Sequence, residues 1–89
     1  MAIAHVIQEK VLGCSSVAFD EHALKRMRER SVAEDEVIEV LRKPDDTALP
    51  TLWQRSRYRK TLEGRSVDVV FEQDPTQIVV ITVITRPAS

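Results

Sequence analysis

An α+β domain is the fold class this sequence predicts, and three observations predict it. Helical spacing with capping and stop signals fills the first half, the apolar period changes to two from about Leu52 onward, and turn residues divide that second half into three β-rich runs. The expected architecture is two or three N-terminal helices packed on a three- to four-stranded antiparallel sheet. Eighty-nine residues predict one domain over 1–89, without repeats and without room for a second core.

Residues 1–16 form an N-terminal segment in which Ile3, Val6, Ile7 and Val11 follow a helical spacing over 2–12, closed by Gly13. Asp20 is a good N-cap for a helix over about 21–30. The next helix, about 33–42, places Val37, Ile38, Val40 and Leu41 on one side, acidic residues in its first turns, and Arg42, Lys43 and Pro44 at its end. Ser31 and Glu34 offer a capping box that would start it two residues earlier. Trp53 to Leu62, Val67 to Gln73 and Ile78 to Thr85 then read as strands of an antiparallel meander, separated by Glu63-Gly64-Arg65 and Asp74-Pro75-Thr76-Gln77. The last run, IVVITVIT, is apolar on both faces and belongs in the middle of the sheet.

Composition excludes several classes. The apolar fraction is 43%, the charged fraction 30% and the net charge −1, which gives no global pull toward nucleic acid or membrane. One cysteine, Cys14, allows no intrachain disulfide and no thiolate zinc cluster, and it fits a reducing compartment. No run of about 18 apolar residues exists, and MAIAHVIQEKVL has neither the basic start nor the long apolar centre of a signal peptide. A cytoplasmic location follows as the expectation.

Chemistry concentrates in DEHALKRMRERS, residues 20–31. His22, Arg26 and Arg30 drift only about 80° around a helix and form one polar row beside Ala23, Leu24 and Met27. At the first turn, unpaired amides and the helix dipole favour a neutral imidazole at His22, suited to act as a base. A second row lies on the first strand of the meander, where Arg55, Arg57 and Arg59 alternate onto one face about 7 Å apart while Tyr58 and Lys60 take the other. From Arg42 to Arg65 seven basic residues face three acidic ones, whereas residues 34–39 carry four acidic side chains. This polarity fits an RNA footprint, with Trp53 or Tyr58 available for base stacking. Structural explanations compete with it: a solvated helix face pairing with Glu21 and Glu29, and a basic edge strand that discourages aggregation.

The run FDEHALKRMRERSVAEDEVIEVLRKPDD, followed by RSRYRKTLEGRSVDVVFEQ and IVVITVIT, resembles a group of small bacterial and phage domains of unknown function that look like members of the barnase, EndoU, colicin and RelE-like group. The resemblance covers about residues 17–86. It implies a helical layer against a curved antiparallel sheet and a metal-independent, toxin-like ribonuclease. In place of the Gly-hydrophobic-Ser that the group tends to carry between its helices, this chain has Ser31-Val32-Ala33.

The mechanism this reading implies is transesterification of RNA phosphodiesters without metal or cofactor. His22 is the candidate base or acid and Arg26 a phosphate clamp, with Tyr58 and Lys60 as acid or transition-state support. Arg30, Arg57, Arg59 and Arg65 are candidates for binding phosphates. RNA and a neutralising protein are the expected partners, and a membrane is not. The alternative is a non-catalytic RNA- or protein-binding module. A shared phosphate site requires the sheet to bring Tyr58, Lys60 or a strand arginine within about one side-chain length of His22.

Overall fold

The computed structural model describes residues 2–49, 51 and 54–87. The chain opens with β1 (Ile3–Ile7) and β2 (Ser16–Asp20), paired antiparallel. Between them Val11 and Cys14 exchange backbone hydrogen bonds of 3.0 and 2.9 Å around Leu12 and Gly13. Both central residues have positive φ, 52° and 81°, as a primed two-residue turn requires. Helices α1 (Glu21–Glu29) and α2 (Glu34–Arg42) follow, and then β3 (Ser56–Leu62), β4 (Arg65–Gln73) and β5 (Gln77–Pro87). Glu63 and Gly64 turn β3 into β4, again with two positive φ values, 51° and 80°.

All five strands form one sheet in the order β1-β2-β5-β4-β3. β2 and β5 run parallel, Val17 opposite Ile78 and Phe19 opposite Val80; the other neighbours are antiparallel. α1 packs over β5, β1 and β2, and α2 over β3 and β4. The core lies between this helical layer and one face of the sheet, around fully buried Phe19, Leu41, Phe71, Val17, Val37, Val69 and Ile78. Opposite Val70 and Phe71 a bulge adds Ile81 to β5. Val80 and Val83 therefore both reach the core although they are three residues apart.

The molecule is α+β, but the expected arrangement does not hold. The helices stand in the middle of the chain, two strands precede them, and the sheet is five-stranded and mixed rather than antiparallel with three or four strands. The helices-first arrangement of the barnase and RelE-like group is overturned with it. Residues 2–12 are not helical: the bulge between Ile3 and His5 puts Ile3 and Val6 on the same side of a strand, and that spacing of three imitates a helix. The meander and the central place of β5 stand. Trp53 lies outside the described residues, as do Pro50 and Leu52.

Ser31 is not an N-cap. It takes φ +53° just past α1, where Ser31 N–H donates to Arg28 C=O at 3.3 Å and Val32 N–H to Met27 C=O at 2.8 Å. This is a Schellman closure with serine in the place that glycine usually fills. α2 begins at Glu34, and Glu36 Oε1 accepts from the Ala33 amide at 3.0 Å; Ala33 has no side-chain acceptor to return the bond.

Phe71 is fully buried and meets the Tyr58 ring in a T-shaped pair at a centroid distance of 4.9 Å. Truncation to alanine should therefore lower unfolding free energy by about 3–5 kcal/mol, measured from the shift in urea midpoint at unchanged slope.

Candidate functional site

Asp20 accepts from the His22 amide at 3.0 Å and from the Ala2 amide at 3.1 Å, so α1 is capped and tied to β1. The His22 side chain is exposed and, among the described residues, makes no hydrogen bond or ion pair. One turn on, Arg26 pairs with Glu29 at 2.8 Å and Arg30 approaches the same carboxylate at 3.8 Å. The predicted row exists on α1 as a surface feature, with its two arginines partly neutralised by one glutamate.

The other candidates act elsewhere. Lys60 lies on the helix-facing side of β3, where its Nζ donates to the Lys43 carbonyl at 2.9 Å and stands 3.8 Å from Asp45. Because Lys43 is the C-cap of α2, this ammonium satisfies the negative end of that helix. Arg65 does the same for α1, donating to the carbonyls of Arg30 and of Ser31, the latter at 2.7 Å, and lying 3.4 Å from Glu36. Tyr58 shares the face of Lys60 but leans its ring on Phe71. α1 and β3 are not neighbours, since β3 packs under α2. The structure thus gives no support to a pocket joining His22 to Tyr58 and Lys60.

Arg57 and Arg59 occupy the opposite, open face of the sheet and converge on Asp68 of β4. Arg57 reaches Asp68 Oδ2 through Nε at 2.8 Å and Nη2 at 2.6 Å. Arg59 reaches Oδ1 through Nε at 2.7 Å and Oδ2 through Nη2 at 3.0 Å. Asp68 is 1% exposed. Burial alone would raise its pKa, but the hydrogen bonds from Arg59 and Arg57 and their charges outweigh it, and the carboxyl titrates below the usual aspartate range. Asp68 in turn raises the pKa of Arg59. Beside them Arg55 pairs with Glu72 at 3.2 Å. Sequence reasoning found the arginine row and missed Asp68; the signal was a lone acid in the apolar run VDVVF, whose burial demands partners.

One groove, of about 470 Å³, lies at the junction of α1 and α2 and is lined by Leu24, Met27, Arg28, Ser31, Val32, Ala33 and Glu34. None of His22, Tyr58, Lys60, Arg57 or Arg59 lines it. Among the described residues, no three His, Cys, Asp or Glu side chains gather as a metal site would need, and no helix is long and apolar enough to cross a membrane.

With this geometry in hand, comparison gives one positive result: the family model "Domain of unknown function (DUF4258)" matches residues 19–85. The chain belongs to the DUF4258 family. The match runs from Phe19 at the end of β2, through both helices and the meander, and leaves β1 outside. No curated protein and no solved structure matches the DUF4258 chain.

Two outcomes check the structural roles. Asp68 has its folded pKa lowered, so its contribution is present above the ordinary aspartate pKa of about 4 and is lost as pH falls through the lower folded value. Asp68→Asn should cost about 3 kcal/mol near neutrality and flatten the acid limb of a stability-against-pH curve. Arg65→Met should cost about 1–2 kcal/mol and Arg65→Lys recover only part, because one ammonium lacks the fork that spans two carbonyls; chemical denaturation measures both.

Proposed function

We propose that this DUF4258 domain is a non-catalytic binding module that takes a protein ligand on the open face of its sheet. The observation that carries the proposal is the composition of that face. An aliphatic strip formed by Val79, Ile84 and Val70 with Thr82 adjoins the Arg57–Asp68–Arg59 cluster, and among the described residues no helix lies over it. The two guanidiniums outnumber the carboxylate they hold and retain one unengaged Nη each within the cluster, held in place by Asp68. A protein surface that combines aliphatic and acidic side chains matches such a patch. RNA has less support there, since among the described residues the sheet aromatics Tyr58 and Phe71 face the helices and offer no stacking surface on the open face. The buried lone thiol of Cys14 agrees with a reducing, cytoplasmic setting.

A second reading, RNA contact through α1, draws support from Lys25 and Arg28. Both are exposed on the same helix as His22, and among the described residues neither forms an ion pair. The ribonuclease reading has the weakest support, because its candidate base stands apart from its candidate acids.

A photo-crosslinking residue at Thr82, in the cells that make the protein, should give one discrete protein adduct. The same residue at Glu63 in the β3–β4 turn should give none. The captured protein, purified, should bind the wild type and bind Ile84→Glu at least tenfold more weakly. Absence of an adduct at Thr82, or binding indifferent to Ile84→Glu, would sink the proposal. RNA cleavage in EDTA that disappears in His22→Ala would replace it with the ribonuclease reading. RNA binding without cleavage, lost in the Lys25→Glu, Arg28→Glu double variant, would replace it with the second.

A further inference from the structure

The two edges of the sheet differ. Beyond β3, Asp46 forms a bridge with Arg59: the Arg59 amide donates to Asp46 C=O at 2.9 Å, and the Asp45 and Asp46 amides donate to Arg59 C=O at 2.7 and 3.2 Å. Asp45 also accepts from the Thr61 amide at 2.8 Å. That edge is covered by an acidic segment. β1 forms the other edge, and among the described residues nothing pairs with its outer side. Its sequence, IAHVI, contains no lysine, arginine, acid or proline, the residues that usually blunt an exposed edge. Ile3 and Val6 are 45% and 40% exposed, the two most exposed of the large apolar side chains described.

We infer that β1 is a self-pairing edge through which two copies of this chain associate about a two-fold axis, in antiparallel register centred on Val6. A strand edge is complementary to itself when reversed, so a two-fold pairing satisfies the outward amides and carbonyls of both copies at once. The side chains agree with that register. Directly opposed residues in an antiparallel pair share a face. Within the protomer His5 and Ile7 lie opposite Phe19 and Val17 on the core side, whereas Val6 lies opposite Ala18 on the open side. Centring on Val6 therefore sets Val6 against Val6 on the open face and His5 against Ile7 on the helical face. No like charges meet along β1. The bulge between Ile3 and His5 limits the regular stretch to His5–Ile7, so the seam is short and the association weak. Because the opposite edge is occupied by Asp45 and Asp46, assembly closes at two copies. Two five-stranded sheets then become one of ten strands.

Sedimentation equilibrium of the full chain between about 10 µM and about 1 mM should show a monomer–dimer equilibrium and nothing larger. Val6→Lys should weaken association at least tenfold with unchanged circular dichroism and denaturation midpoint. Leu12→Lys, the same change at an exposed apolar residue off the edge, should leave it alone. Backbone amide exchange within residues 5–7 should slow as wild-type concentration rises, a readout independent of any variant. A monomer throughout the range, growth past two copies, a dimer untouched by Val6→Lys, equal weakening by Leu12→Lys, or exchange within residues 5–7 that ignores concentration would each overturn the inference. A dimer that breaks with substitutions at Val70 or Ile84, in the middle of the open face, rather than at Val6 on its edge would overturn the edge pairing and assign the centre of that face to self-association instead.

Discussion

The parallel pairing of β2 with β5 organises this molecule. β5 enters the sheet last and lies between β2 and β4, joining the N-terminal hairpin to the C-terminal meander. Apart, these would be sheets of two and three strands, at or near the lower limit of what holds together in water. Parallel neighbours cannot be linked by a tight turn and need a long crossover. Here the crossover is everything between Asp20 and Gln77, including both helices and the β3–β4 hairpin. The helices are consequently mid-chain and share one face. They do not pack along each other; each rests on its own part of the sheet, so the sheet's apolar face, with Phe19, Phe71, Val69 and Val83, supplies most of the surface against which both are stable.

That arrangement fixes where the charges go. A helix ending over a sheet leaves carbonyls to satisfy, and strand cations within reach do so. Lys60 serves α2 and Arg65 serves α1. Hydrogen bonds from a charged donor contribute roughly 1.5–3 kcal/mol, more than an exposed ion pair of about 0–1 kcal/mol. Two of the residues that would serve phosphoryl chemistry, Lys60 and Arg65, are therefore accounted for by helix termini, and a similar need for a counter-charge explains Arg57 and Arg59. An unpaired carboxylate at the position of Asp68 would be untenable, and two guanidiniums keep it ionised.

What the sequence showed depended on whether the signal was local. α1 and α2 were legible because caps, acidic first turns and the Pro44 stop act within a few residues. The meander was legible because β-rich runs follow one another through the second half of the chain with turn signals between them. β1 was misread because one bulge changed the phase of its apolar residues. β2, only five residues long, offers too few positions to establish a period. Its parallel partner is more than 50 residues away, a pairing no local pattern announces. At the candidate site the separation of Arg57 and Arg59 from Tyr58 and Lys60 onto opposite faces followed from strand alternation. The neighbours that decide their roles, Asp68, Lys43 and the end of α1, come from other elements and were not legible.

On the binding role proposed above, the open face would gain specificity from the same cluster that stabilises it. A mobile surface arginine must be ordered when it meets an anion, which costs binding free energy for each immobilised side chain. Arg57 and Arg59 are already ordered by Asp68, and their remaining N–H groups point from fixed positions beside an aliphatic strip. On that reading, only a ligand that sets its acidic and apolar groups at matching separations would engage both. The net charge of −1 keeps long-range attraction small, so that discrimination rests on this fit at contact distance rather than on bulk charge.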